Sequence, residues 1–181
     1  MITPSCAVKL NQIKLEFSAE HDRLLLRVAS DDRKEVLLWL TRRCVKLLWP
    51  ALVNVAQASP DIALQANPGA KEALLGFQHQ KALQQVDFST PYAESGRERP
   101  LGPDPILVAR IQARREPNRL CVLSLLPLEG QGVHLTLDDN LLHSLIKLVQ
   151  TTAAGAEWEL GLELPQAPQT LAAAAGARLL N

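Results

Sequence analysis

Val36-Leu37-Leu38-Trp39-Leu40-Thr41-Arg42-Arg43-Cys44-Val45-Lys46-Leu47-Leu48-Trp49-Pro50-Ala51-Leu52 changes period at its middle, and that change decides the fold. Val36, Leu38 and Leu40 alternate as one face of a strand. Leu37 and Trp39 make the other face apolar too, the pattern of a strand covered on both sides. Thr41 then reads as an N-cap, because its hydroxyl can accept from a backbone N–H left free in the first helical turn. Beyond it, Cys44, Val45, Leu48, Trp49 and Leu52 recur at the spacing of one helical stripe. Pro50 lacks an amide hydrogen, so the helix is expected to kink or stop near it.

Late in the chain Val133-His134-Leu135-Thr136-Leu137-Asp138-Asp139-Asn140-Leu141-Leu142-His143-Ser144-Leu145-Ile146-Lys147-Leu148-Val149 follows the same plan. Without a gap, Val133, Leu135 and Leu137 take the strand positions of Val36, Leu38 and Leu40, and Asp138 takes the cap position of Thr41. Leu141, Leu142, Leu145, Ile146 and Val149 take the stripe of Cys44, Val45, Leu48, Trp49 and Leu52. Two alternating segments precede each copy: residues 13–17 and 24–29 before the first, 106–114 and 120–125 before the second. Two readings account for this. One is an internal duplication of a β-β-β-α unit; the other is that any strand leading into a capped helix gives the pattern, and few residues are identical.

The expected fold is α+β, antiparallel β-meanders packed with two or three helices. Residues 1–85 hold the first β-β-β-α half plus an additional helix, capped by Asn67 with Pro68 in its first position. Residues 86–105, poor in apolar side chains and rich in Pro, Gly and charge, read as a linker or long mobile loop. Residues 106–164 hold the second half and a final strand, in which Trp158, Leu160, Leu162 and Leu164 alternate with Glu159, Gly161 and Glu163. Residues 165–181 form a low-complexity tail.

With 181 residues the chain can bury a sizeable core. Its hydrophobic content of 47% is mostly aliphatic, since aromatic residues contribute only 4%. A formal net charge of zero offers no broad pull on nucleic acid or an anionic membrane, so any such binding has to be local. Three cysteines, widely spaced and odd in number, suit reduced thiols and a cytoplasmic setting. Neither a signal peptide nor an apolar run long enough for a membrane span is read.

No catalytic, metal or cofactor motif stands out. His21, His79, His134 and His143 lack ligand spacing, and Gly130-Gln131-Gly132 is too short for a dinucleotide fingerprint and reads as a turn. Arg42, Arg43 and Lys46 are the local oddity, because positive charge in a helix's first turn opposes the macrodipole by about 0.3–1 kcal/mol per charge. They suggest an anion or nucleic-acid site at a basic helix N-terminus; ion pairs with Asp31, Asp32, Asp138 or Asp139, or simple solvation, are commoner and are the favoured reading. Arg110, Arg114, Arg115 and Arg119 form a second basic group, read as a solvated sheet face. Trp39 is a candidate partner contact.

The expected function is therefore a non-enzymatic interaction or assembly subunit with a protein partner, or one that self-associates. An anion- or nucleic-acid-binding module, and an enzyme whose site is assembled from distant residues, are the alternatives. Membrane association is not expected.

Overall fold

The computed structural model describes residues 10–86, 90–93 and 96–164. The sequence readings for residues 1–9 and for the tail from 165 lie outside the described residues. The fold is α+β, with two sheets and four helices among the described residues.

The first sheet opens as a meander: β1 (Leu10–Ser18), β2 (Arg23–Ser30) and β3 (Glu35–Thr41), each antiparallel to the next. Alternation sorts the side chains. Leu15, Leu24, Leu26, Val28, Val36, Leu38 and Leu40 turn inward and are buried. Thr41 ends β3 and caps α1 (Arg42–Gln57), its hydroxyl accepting from the Cys44 amide at 3.1 Å. Pro50 does not end α1, which runs on to Gln57. Its ring lies on the exposed side, where the missing amide bond has water available in its place.

A short α2 (Pro60–Ala63), absent from the sequence reading, leads into α3 (Pro68–Gln85), where Asn67 caps as expected. The connection that follows does not hang free: its described residues are tied to the first sheet. Arg99 and Tyr92 bind Glu35, Arg97 reaches Gln12, and Glu98 forms a parallel bridge opposite Lys34, its amide donating to Arg33 O and its carbonyl accepting from the Glu35 amide. Composition alone does not reveal this, because each tie joins residues far apart in the chain.

The segment expected as one strand from 106 is two. β4 (Ile106–Leu107) lies parallel to β3, and β5 (Arg110–Arg115) belongs to the second sheet. Between them the Val108 amide donates to Trp39 O and the Ala109 amide to Leu126 O, so one length of backbone crosses from sheet to sheet. β5, β6 (Cys121–Leu126) and β7 (Val133–Leu137) form the second meander. In the β6–β7 turn a Cβ on Gly132 would fall 2.8 Å from Leu125 O, so only glycine fits that approach.

α4 (Asp139–Gly155) follows, capped by Asp138, whose carboxylate accepts from the Leu141 amide at 2.8 Å. The helices change sides: α1, which follows the first meander, packs on β5, and α4, which follows the second, packs on β1. The two helices also pack against each other, and one hydrophobic cluster runs through both halves.

The final strand is corrected. Residues 157–164 pair with no strand; Glu157, Glu159 and Gly161 take positive φ values of 56°, 49° and 60°, which coil the backbone away from extended geometry. Trp158, Leu160 and Leu162 still pack on the core. The Trp158 indole donates to Asp22 at 2.8 Å and meets Phe17 edge to face. Alternation correctly marked a side buried and a side exposed, but it cannot distinguish a strand from a turning segment with the same period. Among the described residues no helix is long and apolar enough to cross a membrane.

Candidate binding surface

The outer face of the first sheet is built in transverse rows set by strand register. One row runs Glu16, Leu25, Trp39, Leu107 across four strands; beside it runs Ser18, Arg23, Thr41, and on the other side Lys14, Arg27, Leu37. The far end, around Glu35, lies under described residues of the connection, Tyr92 and Arg99 among them. There Glu35, 1% exposed, accepts from the Tyr92 hydroxyl at 2.9 Å and from Arg99 Nε at 3.0 Å, with Arg27 at 3.8 Å. Burial, and then the neighbouring Glu35 carboxylate, hold the Tyr92 hydroxyl well above its usual pKa, so it stays a donor.

The near end is open. Leu107 is 44% exposed, and Leu25 and Trp39 are half-buried. His21 lies against Trp39 with ring centroids 5.0 Å apart, and is held there by Ser18 Oγ, 2.9 Å from its Nδ1. The indole is thus oriented before any partner arrives.

Thr41 closes the row that contains Arg23, and Arg42 and Arg43 follow it directly, with Lys46 one turn further along α1. Three of the acids weighed as partners for these cations are engaged elsewhere. Asp138 is engaged as a cap, and Asp139 accepts from Arg115 at 2.6 Å. Asp32 binds Ser30 and Lys34. Arg42, Arg43 and Lys46 are exposed, and among the described residues neither they nor Arg23 has an ion-pair partner. The first turn of α1 carries no acid. Trp39 and the Arg42, Arg43, Lys46 group, read separately from the sequence, therefore stand at one end of the β3–α1 junction.

The second basic group divides. Arg110 and Arg114 are exposed on the outer face of β5, where Arg114 pairs with Glu116 at 2.6 Å and Arg110 donates to Pro127 O. Arg115 points inward and is not solvated. It donates to Val55 O near the C-terminus of α1, to Arg119 O and to Asp139, joining α1, β5 and α4. Here the sequence carried a signal that was missed: Arg115 shares the inward parity of Ile111 and Ala113.

Two further groups lie apart from this surface. Cys44 and Cys121 are buried free thiols, whose pKa values burial pushes up to about 12 and about 11, so they remain protonated and unreactive. His79 on α3 and His143 on α4, not connected by the sequence reading, meet with Nδ1 atoms 3.1 Å apart. Among the described residues no group of three or more His, Cys, Asp or Glu side chains is arranged to hold a metal. Comparison with family models, with curated proteins and with solved structures returns no match to this chain.

Proposed function

We propose that the chain is a non-enzymatic interaction subunit that docks an acidic protein partner on the outer face of its first sheet. The observation that carries this reading is the apolar row Leu25, Trp39, Leu107 beside four cations that have no ion-pair partner among the described residues. A flat apolar centre with Trp at its middle and Arg at its edge is the usual anatomy of a protein interface. Because Arg23, Arg42, Arg43 and Lys46 are uncompensated among the described residues, the complementary partner carries Asp or Glu around its own apolar contact, and charge speeds the encounter more than it deepens the complex.

The reading places the α1 charges in a functional role: they cost helix stability and are kept for the partner. A duplicated origin for the two β-β-β-α units belongs to the same proposal. It is supported by side-chain caps at equivalent positions, Thr41 to Cys44 N and Asp138 to Leu141 N, and by the exchange of α1 and α4 between halves. Only the first unit has the basic helix start; the second has Asp138 and Asp139 there, so on this view one copy specialised.

The test is a nuclease-treated pull-down from source lysate with wild type, Trp39→Ala and the double variant Arg42→Glu/Arg43→Glu, followed by binding measurements on the captured partner. Loss of a central Trp is expected to weaken the complex by about 30-fold, and the charge reversal to slow association and flatten its salt dependence. A partner held equally by all three proteins would sink the proposal. So would prey that disappear with nuclease, or assembly into homodimers with no second protein.

A further inference from the structure

Independently of the sheet surface, we propose that the His79–His143 contact is an acid-sensitive latch, which holds α3 on α4 while the facing Nδ1 atoms share one proton and releases it when both rings are protonated. The two nitrogens are 3.1 Å apart with the rings edge to face, centroids 5.2 Å apart. At that distance one Nδ1–H donates to the other, bare Nδ1. A first added proton leaves this arrangement intact, since an imidazolium can still donate to a neutral ring. A second puts two N–H groups nose to nose, with no acceptor between them.

The setting makes the second proton costly and gives it a way in. His143 is 2% exposed, yet it lines an open cavity of about 210 Å³ with Asp61, Lys81, Arg119, Asp139 and Asn140. The charges facing the pair are mixed. Arg115 from β5 and Lys147 from α4 oppose protonation and Asp139 favours it, while Asp61, Lys81 and Arg119 stand at the cavity rim. Asp139 is already committed to Arg115. Burial, then the neighbouring His79, push His143 down to about 4, and burial with Lys147 lowers His79.

The sign follows. His143 in the docked state titrates below its free value of 6.5, so the contact contributes fully above about that pH. Its contribution is lost as pH falls from there through about 4.

α3 is the element that responds, because little else holds it. Its buried residues are Leu75, Gly76 and Ala82, and its remaining length is exposed or half-buried. In α4, by contrast, Leu142 through Ile146 are five consecutive buried residues, which one packing face cannot supply, so α3 covers a second side of α4. Release uncovers that side.

Hydrogen exchange by mass spectrometry on the full chain, expressed as protection factors between pH 7 and pH 4, tests the latch. In wild type, amides of residues 68–85 should lose at least tenfold in protection as pH falls, while β2 and β6 hold theirs. His79→Leu, which keeps an apolar contact and removes one titrating ring, should shrink that pH dependence to the part that burial of His143 alone supplies. Ring titration by NMR in wild type supplies a second reading that does not depend on how that variant folds: the His143 midpoint should coincide with the loss of α3 protection. Constant protection in α3, an unchanged pH dependence in His79→Leu, or midpoints more than one pH unit apart would each overturn the proposal.

Discussion

Glu35 is a carboxylate almost wholly removed from water, and it holds the long connection to the first sheet through Tyr92 and Arg99. Its removal leaves two cations and a hydroxyl facing a void. Glu35→Ala is expected to lower stability by about 3–5 kcal/mol in urea denaturation, the usual cost of breaking a buried charge pair from one side. Glu35→Gln, which still accepts from Tyr92, should cost less. Nothing in the local sequence marks this residue, because its burial depends on partners some sixty positions later in the chain. Arg42 stands out for the opposite reason: a cation at a helix start opposes the macrodipole within its own stretch of sequence. The buried His143 and Arg115 fall between these cases. Each sat in a readable pattern, but Arg115 was assigned to solvent by its polarity and His143 was noted only for lacking ligand spacing.

At the scale of elements, the meanders and the capped starts of α1, α3 and α4 could be read from period and caps alone, and β2 reaches one residue beyond each end of the alternating segment 24–29. Legibility failed where an element's identity depends on hydrogen-bond partners. Residues 106–115 look like one strand but divide between two sheets, and residues 157–164 alternate without any strand to pair with. The caps allow a direct comparison between α1 and α4. α4 starts with Asp138 and Asp139, in favour with the helix dipole, and α1 with Arg42 and Arg43, against it. The Arg42→Glu/Arg43→Glu protein, which removes two unfavourable charges and adds two favourable ones, should therefore be more stable than wild type by about 1–4 kcal/mol in thermal or urea melts, even as binding to the proposed partner falls. A variant that loses both stability and binding would mean that the arginines support the fold.

At the scale of the molecule, the two sheets share one backbone segment and one core, and each meander is covered by the helix that belongs to the other. Unfolding should thus be a single transition by circular dichroism and by tryptophan fluorescence, with no plateau in which one half survives. The exchange of helices has a consequence for how the chain can be cut. A polypeptide ending at Gly102 keeps α1 but loses the β5 surface on which that helix rests, and the remainder keeps α4 but loses β1. Neither piece has a complete core, so each alone should be largely unstructured. Mixed in equal amounts they have every surface required, and they should assemble non-covalently into a complex with the native far-ultraviolet spectrum. The chain would then behave as a reporter that can be split at one loop and reconstituted, its halves finding each other because neither can be finished without the other.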